Sequence, residues 1–122
     1  MSEPRALVVD DDEAIRNLLA TLVAYQGYDV ETAKDGQEAI DRLLGDGYSL
    51  VLLDLMMPKV DGYSVLRHIR ETNPTLLRCT IIASAVPERE ILNKVAEPVY
   101  KIHMKPFDMS QLIADIRSCH AA

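Results

Sequence analysis

Asp10, Asp11, Asp54, Ser84 and Lys105 each stand where a short apolar run gives out. Ala6-Leu7-Val8-Val9 leads into Asp10-Asp11, and Leu50-Val51-Leu52-Leu53 leads into Asp54. Thr80-Ile81-Ile82-Ala83 leads into Ser84, and Tyr100 to Met104 leads into Lys105-Pro106. Carboxylates, a hydroxyl and an ammonium are the groups that hold a hard cation beside a phosphoryl group. Clustered carboxylates suit Mg²⁺, which takes oxygen ligands and keeps several waters. A carboxylate next to a divalent cation can attack phosphorus as a nucleophile and become an aspartyl phosphate. Asp54 is best placed for that role. It lies between Leu50–Leu53 and Leu55-Met56-Met57-Pro58, and a charge in such surroundings needs a partner or a metal.

Each of these residues also has an ordinary reading. Asp10-Asp11-Asp12 can be a solvated acidic loop that caps a helix, with Asp12 as the cap. Lys105 can be one more exposed lysine, and Ser84 a plain strand-end serine. Asp54 shifts the balance, because it needs what the others can supply. A fixed Lys105 would pair with Asp54 at rest and with phosphoryl oxygens afterwards. A cis Lys105-Pro106 bond would aim that side chain. The Ser84 hydroxyl could donate to a phosphoryl oxygen, and Ala85 is small enough to leave the approach open.

The elements that must position these groups follow from periodicity. The apolar runs read as buried parallel strands. Between them run helical stripes: Ile15, Leu18, Leu19, Leu22, Val23; then Ala39, Ile40, Leu43, Leu44; then Val65, Leu66, Ile69. Ile91, Leu92 and Val95 make a fourth stripe, and Leu112, Ile113 and Ile116 a fifth. Asp35 with Glu38 and Asp108 with Gln111 have the spacing of capping boxes, while Gly27, Gly45, Gly47 and Asn73-Pro74 mark stops. Tyr28 to Thr32 alternates like an edge strand. Strands alternating with helices imply a parallel sheet covered on both faces, and ligands of such sheets bind beyond the carboxyl ends of the strands. The whole chain, 1–122, reads as a single domain, with no linker, repeat or output domain.

A net charge of −6 argues against non-specific binding to nucleic acid or anionic membrane. No apolar run approaches the roughly 20 residues that span a bilayer. Cys79 and Cys119 follow no metal spacing and are expected to be reduced packing residues of a cytosolic protein. His68, His103 and His120 are expected at the surface or rim.

Taken in order, Val8-Val9-Asp10-Asp11-Asp12, Leu52-Leu53-Asp54-Leu55-Met56-Met57-Pro58 with Asp61-Gly62, Ser84-Ala85 and Lys105-Pro106-Phe107 resemble a response-regulator receiver domain. The resemblance covers nearly the whole chain. It implies a doubly wound, flavodoxin-like (βα)5 sheet of strand order 2-1-3-4-5. It implies Asp54 as phospho-acceptor, Mg²⁺ held by Asp10, Asp11, Asp54 and the Met56 carbonyl, and a phosphoryl group bound by Ser84 and Lys105. Pro58 and Gly62 would shape the loop after the third strand. Implied partners are a sensor histidine kinase or histidine phosphotransfer protein and a downstream effector, in the cytoplasm, with no direct nucleic-acid contact or membrane insertion. Implied too is a signalling domain, not an enzyme, that catalyses its own phosphorylation and dephosphorylation. The sequence departs from the family at Ile102, where an aromatic is usual, and at Glu97-Pro98-Val99, where a Gly-Ala turn is usual.

Three other readings compete. A haloacid-dehalogenase-like phosphatase needs a second aspartate two residues after the nucleophile, and position 56 is methionine. A pseudo-receiver that binds partners without phosphorylation would have lost an acidic, hydroxyl or lysine position, and none is lost. A receiver excised from a longer regulator or hybrid kinase is compatible with the sequence.

Overall fold

Residues 4–45, 47–57, 60–95 and 99–121 are described by a computed structural model. Five strands, β1 (Arg5–Val9), β2 (Asp29–Ala33), β3 (Tyr48–Leu53), β4 (Thr80–Ser84) and β5 (Lys101–Met104), form one sheet in the order β2-β1-β3-β4-β5. Every pairing is parallel. The helices are α1 (Glu13–Tyr25), α2 (Gly36–Leu43), α3 (Gly62–Thr72), α4 (Glu88–Lys94) and α5 (Met109–Ala121). A short 3-10 helix, Pro74–Cys79, follows α3 and was not foreseen from the sequence.

The continuous apolar runs form the central strands because both of their faces are covered. Leu7, Val9, Val51, Leu53 and Ile82 face one buried layer with Val65, Leu66, Ile69 and Ile91. Ala6, Val8, Leu50, Leu52 and Ile81 face the other, with Leu19, Val23, Leu112 and Ile116. Burying a side chain of this size stabilises by about 1.5–3 kcal/mol each, so these two layers dominate the fold. The alternating segment is indeed the edge strand β2, shifted by one residue toward the carboxyl end.

Caps fix where the helices start. Asp12 Oδ1 accepts from Ile15 N–H at 3.0 Å, Asp35 from Glu38 N–H at 2.8 Å and Asp108 from Gln111 N–H at 3.1 Å. The return half of the last capping box is diverted, because Gln111 Nε2 donates to Asp115 Oδ1 at 3.2 Å. Gly27 ends α1 at φ +98°, a left-handed conformation that suits a residue without Cβ.

Two expectations are overturned. Cys79 and Cys119 are joined in a disulfide, so they are not two separate reduced packing residues. The sequence gives no cue because the partners are 40 residues apart and only the docking of α5 brings them together. His103 is not a rim residue: it is buried on β5 and its Nε2 lies 2.7 Å from Asp115 Oδ2 on α5. The side chain of His120, and residues Pro58, Glu97 and Pro98, lie outside the described residues.

Candidate phosphoryl-acceptor site

Register brings the site together. Val9 is level with Leu53, and Asp54 N–H donates to Val9 O at 3.0 Å, so the chain leaves β1 and β3 at the same height. Ser84 pairs with Met104, and Lys105 N–H donates to Ser84 O at 2.9 Å. Asp10, Asp54, Ser84 and Lys105 therefore meet at the carboxyl edge of the sheet.

Asp54 is 4% exposed, and its two oxygens are engaged by different partners. Oδ1 accepts from Ser84 Oγ at 2.9 Å and from Met56 N–H at 3.1 Å. Oδ2 accepts from Lys105 Nζ at 3.2 Å, and the same ammonium donates to Asp10 Oδ2 at 2.8 Å. Lys105 thus bridges two carboxylates, with Asp10 the closer. The Lys105-Pro106 bond is cis.

Burial pushes the Asp10 carboxyl above its ordinary value and outweighs its hydrogen bonds from Lys105 and the Asp12 N–H. Burial draws the Lys105 ammonium down, but the hydrogen bond to Asp10 and the charges of Asp54 and Asp10 together hold it above the usual lysine range. One ammonium is shared by two buried carboxylates, so the centre has room for another cation. Asp10, Asp11 and Asp54 each offer a carboxylate oxygen, all within 4.8 Å of one another, and Asp11 is exposed to solvent. This all-oxygen donor set, with one open side, fits a hard divalent ion that keeps some of its waters.

Backbone packing explains the loop beyond Asp54. A Cβ on Gly62 would lie 2.4 Å from Asp54 O and 2.5 Å from Leu55 Cα, so α3 can start this close to Asp54 only with glycine there. Gly62 N–H in turn donates to Leu55 O at 3.1 Å. The role of Gly62 is this close approach rather than an unusual backbone angle.

Arg16 belongs to the surroundings and escaped sequence reasoning. Its Nη1 donates to Asp10 O at 3.0 Å, tying the loop after β1 to α1. Its position four residues after the capping Asp12 is the only signal, and a charged residue there usually points to solvent. The site opens on a cleft lined by Asp11, Met56, Ala85, Val86, Glu90 and Lys94.

The family model for the response regulator receiver domain matches residues 6–117. The chain belongs to this family. Among curated relatives of this receiver domain, "Response regulator MprA" of Mycolicibacterium vanbaalenii is 40% identical over 116 residues, covering 93% of this chain and 49% of the relative. "Transcriptional regulatory protein TrcR" of Mycobacterium tuberculosis is 39% identical over 116 residues, covering 93% of this chain and 44% of the relative. The receiver thus spans about half the length of the curated relatives it matches.

Solved structures agree on the flavodoxin-like fold. The receiver domain of Francisella response regulator 1452 superposes with a TM-score of 0.85 at 29% identity, covering 97% of each chain. TrrA from Thermotoga maritima, solved with Mg²⁺ and a beryllofluoride group, gives 0.83 at 29% identity, covering 94% of this chain and 97% of that one.

Proposed function

We propose that residues 1–122 form a single receiver domain in which Asp54 accepts a phosphoryl group from a phosphohistidine. The observation that carries this reading is the engagement of both Asp54 oxygens, by Ser84 Oγ on one side and Lys105 Nζ on the other. Two donors bonded to the carboxylate itself would be within reach of a phosphoryl group carried on it, which supports the reading.

In the transfer, an Asp54 oxygen attacks phosphorus and the phosphorus–nitrogen bond of the donor breaks. The bonding pair stays on the imidazole nitrogen, which takes up a proton from solvent. Lys105 moves its hydrogen bond from the carboxylate to a phosphoryl oxygen, and Ser84 does the same on the other flank. Asp10, Asp11, Asp54 and the Met56 carbonyl would hold Mg²⁺, which when bound neutralises charge on the phosphoryl oxygens. The domain supplies these groups for its own phosphorylation and dephosphorylation and acts on no further substrate.

The partners in this reading are a sensor histidine kinase or a histidine phosphotransfer protein, and a downstream effector that reads the phosphorylated surface. The setting is the cytoplasm, where ATP-dependent kinases make phosphohistidine. Among the described residues no helix is long and apolar enough to cross a membrane. A net charge of −6 favours a protein partner over direct contact with nucleic acid. The greater length of the curated relatives favours a second reading, in which this domain is the receiver of a longer regulator.

Intact-mass measurement after acetyl phosphate and Mg²⁺ tests the proposal. The parent is expected to gain one phosphoryl mass, and neither Asp54→Asn nor the parent with EDTA is expected to gain any. A phosphoryl mass on Asp54→Asn would overturn it.

A further inference from the structure

Away from the acceptor site, one covalent feature has no part in phosphoryl transfer. Cys79 closes the 3-10 helix at the start of β4, Cys119 lies in the last turns of α5, and the two sulfurs are bonded with Cα atoms 5.8 Å apart. That separation lies inside the roughly 4.4–6.8 Å that disulfides require. Ser84 ends β4 and Cys79 precedes it, so the pair and the acceptor site lie at opposite ends of one strand.

The two sulfurs differ in access. Cys119 is buried and Cys79 is only half-buried. Both line an open depression with Pro4, Tyr48, Ser49 and Arg78, which gives a small thiol a route to the bond. The anchors of α5 are also unequal along its length. Leu112 and Ile116 are fully buried, Asp115 holds His103, and Tyr28 Oη donates to Ile116 O at 3.2 Å. Beyond Ile116 the other described anchors are exposed hydrogen bonds, from Arg117 to Gln26 and between Tyr100 and Ser118.

We propose that Cys79 and Cys119 form a reversible thiol–disulfide modification site that clamps the end of α5 to the base of β4. In the reducing direction a low-molecular-mass thiolate attacks Cys79 sulfur. The Cys79–Cys119 bond breaks, and Cys119 leaves as a thiolate and takes a proton. A second small thiolate attacks the sulfur of the first in the mixed disulfide, releasing Cys79, which is also protonated. Two electrons and two protons pass to the protein, and two small thiols become one small disulfide; oxidation is the reverse. The bridge spans 40 residues that include Ser84, all of α4, β5 and Lys105, so it constrains the part of the chain that carries both phosphoryl-binding side chains. Disulfides that form and break in reducing compartments are typically redox-sensing.

The test uses the unphosphorylated parent, equilibrated with glutathione and its disulfide at varied ratios, then alkylated and weighed. The expected result is a reversible passage between a species that takes two alkyl groups and one that takes none. Reduction is expected to lower the melting midpoint by on the order of 10 °C. It is also expected to speed amide exchange across residues 116–119 while the Asp54 loop is unchanged. The double variant Cys79→Ser, Cys119→Ser is expected to ignore the glutathione ratio. Two alkylatable thiols at every ratio, glutathione adducts in place of the internal bond, or identical melting of the two forms would overturn the proposal. None of these outcomes bears on Asp54, because no phosphoryl donor is present.

Discussion

Met56 and Val86 stand two residues beyond Asp54 and Ser84, where, under the proposed function, a side chain would hold the water that hydrolyses an aspartyl phosphate. Met56 is 62% exposed beside Asp54, and a thioether is a poor hydrogen-bonding partner for water. Val86 offers no side-chain polar atom at all. A long-lived phosphoryl group is the expected consequence. Met56→Asn would place an amide where water can be held, and dephosphorylation is expected to accelerate by on the order of 10²-fold. Phosphoryl lifetimes measured by mass after removal of the donor check this, and equal lifetimes would contradict it. Val86→Glu is not a clean companion. Val86 is 6% exposed within the core, and a carboxylate there would have to be desolvated. At this scale Asp10, Asp54, Ser84 and Lys105 were legible because a polar residue directly after a buried strand must be satisfied by something. His103 was not. Its partner is on another element, and Lys-Ile-His-Met carries no pattern that reveals which way the imidazole faces.

The elements were legible in number, order and type because each apolar period is long enough to be unambiguous. The 3-10 helix was missed because Pro74–Cys79 is too short to show a period. One element boundary has a sharp consequence. Gly62→Ala forces a methyl against the backbone of Asp54 and Leu55, and backbone has little room to give. A loss of roughly 1–3 kcal/mol in urea unfolding is expected. Gly45→Ala, whose Cβ meets nothing nearer than Arg42 O at 3.5 Å, is expected to stay within about 0.5 kcal/mol of the parent. Equal losses would show that the tight start of α3 is not what selects glycine. Helix α4 is the element expected to respond to phosphorylation. It is seven residues long, Pro87 at its start provides no side-chain cap, and Ile102 beside it on β5 is β-branched and stiff. A rotamer exchange of the aromatic kind is therefore not available at position 102. Amide exchange with beryllofluoride and Mg²⁺ is expected to change over Val86–Val95 as well as in the Asp54 loop. Changes confined to the Asp54 loop would rule out α4 as the responding face.

The whole molecule is two buried layers on one sheet, and buried tyrosines tie those layers to the termini of the elements. Tyr28 is 3% exposed, donates to α5, and is pushed up to about 12 by burial. Tyr48 is also held at about 12, by burial and by its hydrogen bond to Glu31. A folded-state value above the unfolded one of about 10 means that the folded protein keeps the proton longer. The stability this confers is complete below pH 10 and is lost as pH climbs from about 10 to about 12. Unfolding free energy is expected to fall by on the order of 1–2 kcal/mol per tyrosine across that interval. Tyr28→Phe is expected to be weaker by about 1 kcal/mol below pH 10, through the lost hydrogen bond, yet to fall less steeply above it. Parallel slopes for parent and variant would contradict the role given to Tyr28.

The proposed function rests on which carboxylate takes the phosphoryl group. Borohydride reduces an aspartyl phosphate to homoserine and leaves free carboxylates alone, so it marks the acceptor in the chain itself. After acetyl phosphate, Mg²⁺ and borohydride, peptide mass mapping is expected to find homoserine at position 54 and nowhere else. Homoserine at Asp10, Asp11 or another carboxylate, with Asp54 intact, would contradict the assignment.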